Sequence, residues 1–149
     1  MSLTVKITTP IFQTLSDLKE QYGFKELGLA VSGGSDSLAM LYICNDWALE
    51  KKVKLHCVTV DHKLRPGSLK EAQLVAGHCN GLGINHEVVE WKHEKELSGN
   101  LSDLARSARY KLIDKWRKKL SFVLVGHTQN DQIETFFMNL KRGSGIEGM

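Results

Sequence analysis

Residues 29–41 read LAVSGGSDSLAML. An apolar run stops at Val31, two glycines, three hydroxyls and one carboxylate follow within six residues, and apolar residues resume at Leu38. A surface turn needs only one or two such residues. This many, set between two apolar runs, describes a loop that a ligand approaches closely. "LGLAV" (27–31) has the length of a buried strand, and the helix it feeds runs from about Ser35 to Lys51. Gly33 and Gly34 permit backbone angles and a closeness of approach that a β-carbon would block. Ser32, Ser35 and Ser37 offer hydroxyls, and the start of the helix turns free N–H groups and a partial positive charge into the loop. Such a cradle suits a polyphosphate. Asp36 conflicts with an anion unless it serves a metal, and Mg²⁺ carried on the phosphates resolves the conflict. The loop itself fits neither GxxxxGK(S/T) nor GxGxxG, which excludes a Walker A loop and a dinucleotide fingerprint at this strand end.

The alternation continues outward in both directions. Before the loop, Ile11, Leu15, Leu18 and Tyr22 repeat at helical spacing behind Thr9 and Pro10, until Gly23 ends the run. After it come a strand, "VKLHCVTV" (53–60), and a helix to about Asn80, for which Ser68 and Glu71 have capping-box spacing. "INHEVVEW" is a third strand; Asn100 opens a helix carrying Leu104, Ala105, Ala108, Leu112 and Trp116. "FVLVG" (122–126) is a fourth strand, and the spacing of Ile133, Phe136, Phe137 and Leu140 predicts a last helix from about Gln129 to Lys141. Strands and helices alternating at these lengths predict an α/β fold, a parallel sheet flanked by helices on both faces with right-handed crossovers.

Bulk properties agree with one globular domain. The chain has 149 residues, 42% of them hydrophobic and 25% charged, and a net charge of +3 that permits a nucleic-acid partner without demanding one. Cys44, Cys57 and Cys79 are widely spaced with no CxxC pair, so they read as reduced core thiols. No apolar run approaches the ~18 residues of a membrane span, and no signal-peptide pattern opens the chain; a soluble cytoplasmic protein is expected. The closing "GSGIEGM" is glycine-rich and ends without a further element, as in a chain that continues.

Three further clusters stand out, two of them near the same sheet edge. Asp61 and His62 end the second strand, with Arg65 shortly after. Arg106 and Arg109 lie three apart on a helix, away from its apolar stripe. His127 ends the fourth strand, and Asp131 and Glu134 share a face of the predicted last helix, close to the ligand edge. Taken singly, these are a polar turn, a solvated basic face and acids complementing a helix dipole; those neutral readings do not account for His127, Glu134 and the "RGSGIEGM" ending together.

Residues Ser32–Ser37 resemble the PP-loop of the ATP pyrophosphatases, which cleave ATP between its α- and β-phosphates and adenylate an oxygen of the substrate. Further along, "VDHKLR" resembles the VDHxLR segment of tRNA(Ile)-lysidine synthetases, and Ala105, Arg106, Arg109 and Tyr110 match that family's ARxxRY. "GHTQNDQIETFFMNLKRGSGIEGM" resembles its GHxxDDQxETxxxxLxRGSGxxGL, with Asn130 in place of the first Asp and Met149 in place of the final Leu. The resemblance runs from about Leu27 to Met149. It implies an adenine-nucleotide alpha-hydrolase-like fold and a single N-terminal PP-loop domain over 1–149. It also implies C-terminal tRNA-gripping domains that these residues do not contain, and hence ATP binding with weak or no action on tRNA by this stretch alone.

For activity, the resemblance implies ligation of L-lysine to C2 of the wobble cytidine in the CAU anticodon of tRNA(Ile), with ATP and Mg²⁺. Ser32, Gly33, Gly34, Ser35, Asp36 and Ser37 would hold the phosphates, with Asp61 and His62 beside the nucleotide. Asp36 would position the metal, Arg109 would stabilise charge at the adenylated intermediate, and His127, Asp131 and Glu134 would serve the lysine amine. A homodimer is implied, and no membrane. Two alternatives stay open: another PP-loop ATP pyrophosphatase acting on a different tRNA base or a small acyl substrate, and a nucleotide-binding module without turnover. Thiolating relatives are disfavoured by the absence of CxxC, and GMP and asparagine synthetases by the absence of an amidotransferase domain.

Overall fold

Each of the four apolar runs singled out above becomes a strand, and two further strands join them. The computed structural model describes residues 2–6, 11–63, 66–92, 101–117, 120–129 and 132–139. In chain order the elements are β1 (Ser2–Lys6), α1 (Ile11–Tyr22), β2 (Glu26–Ala30), α2 (Ser35–Lys51) and β3 (Lys54–Asp61). They continue with α3 (Ser68–Leu82), β4 (Asn85–Glu90), α4 (Leu101–Arg117), β5 (Phe122–Gln129) and β6 (Gln132–Asn139). The sheet order is β1-β6-β5-β2-β3-β4. β5, β2, β3 and β4 are mutually parallel, as the alternation predicted, whereas β6 runs antiparallel to both β5 and β1.

Successive side chains of a strand point to opposite faces, and the burial follows that rule. Leu27, Leu29 and Val31, with Leu55, Cys57, Phe122 and Leu124, form one core under α1, α2 and α3. Leu15, Met40, Leu41, Cys44, Trp47, Val75 and Cys79 close it from the helix side. Trp47 is fully buried, its indole N–H donating to Ser16 Oγ at 3.0 Å. On the other face Ala30, Val58, Val123 and Val125 meet Tyr110 and Ile113 of α4. Helices therefore cover both faces, and the three cysteines are free and buried as expected. Burial pushes the Cys44 thiol up to about 12. The hydrogen bond to Cys79, then burial, raises Cys57 as well. Among the described residues, no helix is long and apolar enough to cross a membrane.

Three local expectations are corrected. Gly67, not Ser68, is the N-cap of α3; Ser68 is its first helical residue, and no side chain caps this end. A buried Ser68 is held inside the fold rather than turned back over the helix start. The same helix runs on to Leu82, where Gly83 adopts φ +73° and supplies the left-handed cap. The third correction concerns Gln132–Asn139, predicted helical and observed as β6. Ile133, Thr135, Phe136 and Phe137 favour strands by type. The segment pairs along its length with β5 on one side and over five positions with β1 on the other, which satisfies its backbone groups without a helix. β5 correspondingly extends to Gln129 rather than stopping near Gly126.

Candidate active site at the carboxyl edge of the sheet

From β2 the chain proceeds through β3 to β4 on one side, then crosses back to place β5 on the other side of β2. The carboxyl ends of β2 and β5 therefore flank the point where strand order reverses, the usual ligand crevice of an open parallel sheet. Residues 32–37 occupy that point. The last ladder bond of the strand is Val31 N–H to Val58 O at 2.9 Å. Ser32 N–H then donates to Ser37 Oγ at 2.8 Å, which folds the loop back on the first turn of α2. Gly34 N–H donates to Ser32 Oγ at 3.4 Å, and Leu38 N–H to Gly34 O at 3.0 Å begins the helical ladder. Helix geometry leaves the N–H groups of Ser35, Asp36 and Ser37 without intrahelical acceptors. Gly34, the N-cap, brings no side chain to cover them. These amides and the positive end of the helix dipole form an anion-directing rim.

The two glycines differ in their surroundings. A β-carbon on Gly33 would lie 2.7 Å from Glu71 Cβ and 3.1 Å from both Glu71 Cα and Cγ, so α3 itself forbids a side chain there. On Gly34 it would meet, among the described residues, only Ser32 Oγ, at 3.7 Å. Ser37, expected to face the ligand, is 5% exposed and its hydroxyl is engaged by Ser32 N–H. Ser37 thus shapes the loop from within.

Asp61 ends β3 and is 3% exposed. Its Oδ1 accepts from Lys63 N–H at 3.1 Å, which holds Lys63 in the left-handed region at φ 54°. Lys63 Nζ in turn meets Glu90 Oε2 at 3.0 Å. His62 is half-buried beside it. In α4, Arg109 is half-buried with its guanidinium carbon 5.6 Å from the Tyr110 ring centroid. Tyr110 packs on Ala30 and Val58, which anchors that part of α4 near the carboxyl ends of β2 and β3.

The β2–β5 register pairs Ala30 with Val125. Two residues beyond that pair stand Ser32, in the loop past the end of β2, and His127, still within β5, so the backbone of His127 reaches the edge that carries the loop. In the β5–β6 register His127 faces Glu134, and Glu134 also faces Lys6 of β1. At ~4.8 Å between strands, β6 lies roughly 10 Å from β2 along the sheet. Glu134 is thus brought to His127 by strand pairing, and not by the helix face that was to group it with Asp131. Asp131, like Asn130 and Arg65, lies outside the described residues. The side chains of Ser35, Asp36, Arg106, His127 and Glu134 also lie outside them. Among the described residues, no group of three or more His, Cys, Asp or Glu could hold a metal ion.

Sequence reasoning missed Glu71 as the wall behind the loop. Its only trace in the sequence was the position in the first turn of a helix beginning just after the Asp61 segment. At the opposite, amino end of the sheet, a pocket of about 280 Å³ is lined by Glu26, His56, Asn85, Glu87, Trp116 and Arg117 among others. It is a sheet's length from the loop.

Comparison with known proteins adds an independent line. A family model for the PP-loop domain matches residues 7–149. The chain is similar to the tRNA(Ile)-lysidine synthase of Wolbachia pipientis wMel, at 38% identity over 143 residues, covering 93% of this chain and 33% of that protein. It is similar to the enzyme of the same name from Brucella anthropi, at 42% over 140 residues (89% and 30%). A third, from Rhodopseudomonas palustris, is 44% identical over 125 residues (81% and 36%). The chain thus spans about a third of the length of these curated relatives. Among solved structures, the U34-tRNA thiolase NcsA from Methanococcus maripaludis, with its 4Fe-4S cluster, superposes with a TM-score of 0.63. That match has 21% identity and covers 81% of this chain and 46% of that one, a likeness of fold alone.

Proposed function

Because the chain belongs to the PP-loop domain family, we propose that its carboxyl edge binds ATP and serves the ligation of L-lysine to the wobble cytidine of tRNA(Ile). What supports this reading is the SGGSDS loop at the reversal point of the sheet, its helix N-terminus without a side-chain cap, following the strand paired with β5. The names of the similar proteins, tRNA(Ile)-lysidine synthases, support the substrate.

The chemistry follows from what each part can do. A pyrimidine C2 oxygen is a poor leaving group. Attack of that oxygen on the α-phosphorus of ATP expels pyrophosphate and turns it into a phosphate ester that can leave. The lysine ε-amine then adds to C2, loses a proton and expels AMP. Backbone N–H groups from Ser35 to Ser37, with the hydroxyls of Ser32 and Ser35, would bind the departing pyrophosphate and offset its growing charge. Gly33 and Gly34 let the phosphates come within hydrogen-bond reach of the backbone. Ser37 keeps the loop in that shape. Mg²⁺ would neutralise phosphate charge when bound. Asp36, at the second position of α2, is the carboxylate suited to hold it, since a hard divalent cation prefers oxygen ligands shared with phosphate. Asp61 and His62 would border the nucleotide, and Arg109 would meet charge at the adenylated base. His127, Asp131 and Glu134 would hold the lysine ammonium groups or take the proton from the ε-amine. A cytoplasmic homodimer remains part of the proposal.

The test joins binding to turnover. Calorimetric titration with ATP and Mg²⁺ should show binding, weakened by Asp36→Ala. Pyrophosphate release should require tRNA(Ile), and labelled lysine should enter that tRNA. Full lysine incorporation by Asp36→Ala would overturn the metal assignment, and pyrophosphate release driven by a small acyl substrate instead of tRNA would favour a different PP-loop enzyme.

A further inference from the structure

We propose that Glu71 is the positioning residue of the phosphate loop, its stem being the stop against which Gly33 is set. The inference rests on the ATP-binding reading of the same site and deepens it. The SGG signature holds two glycines, and the structure separates their reasons. Among the described residues Gly34 has room for a β-carbon, which would meet Ser32 Oγ at 3.7 Å. Gly33 has no such room: Glu71 Cβ would be at 2.7 Å and Glu71 Cα at 3.1 Å. Neither atom can rotate away, because both are fixed by the helix backbone. Glu71 sits in the first turn of α3, tied by its own N–H to Gly67 O at 3.0 Å.

The consequence is mechanical. The loop is pinned at its rear by α3 and at its front by the Ser32–Ser37 bond, so its amides are held in place before any phosphate arrives. Preorganised donors are worth more than donors that must first be ordered. α3 also begins six residues beyond His62. The stop therefore fixes the loop relative to the Asp61–His62 turn, the second expected border of the nucleotide. In this assignment the Cβ does the positioning.

A double-mutant cycle tests it, with ATP affinity at saturating Mg²⁺ and thermal denaturation as paired readouts. In Gly33→Ala the new methyl collides with Glu71 Cβ and the loop must shift, so ATP affinity should fall about tenfold or more. In the double variant Gly33→Ala with Glu71→Gly, the 2.7 Å collision with the Cβ at 71 is gone and the 3.1 Å approach to the Cα at 71 remains, which a shift of a few tenths of an ångström relieves. Affinity should then return to within about threefold of the parent, a coupling that independent sites do not show. Glu71→Gln keeps the stem and should bind ATP within about twofold of the parent.

The proposal is overturned if the double variant binds no better than Gly33→Ala, or if Glu71→Gln loses about tenfold, which would make the carboxylate the active part. Failure of the parent protein to bind ATP sinks the functional reading instead. The loop–helix stop is then judged on denaturation alone: stability lost in Gly33→Ala and regained in the double variant supports it, and additive losses refute it.

Discussion

At the amino end of the sheet Glu26 meets His56 at 3.0 Å. At the carboxyl end Ser37 Oγ holds Ser32 N–H, and Asp61 Oδ1 holds Lys63 N–H. The first pair joins side chain to side chain across a rim that water reaches. The other two join short, buried side chains to the backbone of the loops that follow β2 and β3. Solvent can replace the first kind at small cost, because screening and side-chain entropy consume most of the attraction. It cannot replace the second kind, since the acceptor atoms are out of its reach. One end of the sheet is therefore merely closed, whereas the other is shaped. Substitutions that test this contrast should move loop geometry at the carboxyl end and little at the amino end.

The largest effect is expected at Asp61. Alanine there removes a charged acceptor from a buried site and leaves Lys63 in the left-handed region without its tether. Stability measured by urea denaturation should fall by about 1.5–3 kcal/mol. Asp61→Asn keeps an oxygen for the Lys63 N–H and should lose less than half of that. ATP affinity should drop with Asp61→Ala, because the turn bordering the loop changes shape. A loss below about 0.5 kcal/mol would place Asp61 with the exchangeable pair of the other end and erase the contrast.

Ser37 comes next. Ser37→Ala leaves Ser32 N–H without its acceptor in a part-buried loop, which should destabilise by about 1–2 kcal/mol. Its sharper signature is functional: nucleotide binding should weaken more than a loss of that size alone implies, because the loop is no longer folded back onto α2. Stability lost with ATP binding intact would show that the clamp serves packing only.

These two residues also mark how far the sequence could be read. The apolar runs of β2, β3 and β5 were legible as strands, and the SGGSDS loop was placed at the carboxyl end of β2. Gly23 was legible as a helix stop because a residue at φ +69° in that position is nearly always glycine. Ser37 was read as a ligand hydroxyl, since nothing in SGGSDS says which serine turns inward. Glu71 could not be read at all: its contact with Gly33 joins residues 38 apart in the chain and exists only once α3 packs beside α2. At Gln132–Asn139 the helical spacing of Ile133, Phe136, Phe137 and Leu140 competed with strand-favouring residue types, and pairing on both edges decided the outcome. Local patterns fix the elements that bury one clear face. They do not fix a segment whose second neighbour, β1, lies more than a hundred residues away in sequence.

A smaller effect should follow pH. His86 on β4 is half-buried, with Nε2 2.9 Å from Thr59 Oγ1, and burial holds its imidazole below the ordinary 6.5, partly opposed by Glu87. The folded state therefore resists protonation that the unfolded chain accepts. Stability should be steady above pH 6.5 and fall as the pH drops below it toward the lowered folded value, where the unfolded state binds the extra proton. Urea midpoints at pH 7.5 and 5.5 should differ less in His86→Gln than in the parent; equal pH slopes in the two proteins would remove His86 from the account.

The smallest effect is expected where the amino end is most visibly charged. Glu26→Gln breaks the Glu26–His56 pair, whose side chains are 50% and 24% exposed. Stability should change by less than about 1 kcal/mol, and less still at high salt. ATP affinity should not change, even though Glu26 opens the strand that ends just before the phosphate loop. That separation is the strictest demand the comparison makes. β2 is a buried strand pinned on both sides by parallel neighbours, so a disturbance at its first residue has no rigid-body motion through which to reach its last. A change in nucleotide affinity on Glu26→Gln would show that the two ends are mechanically linked through β2, and the loop would then have to be understood as set by the whole strand rather than by Ser37 and Glu71.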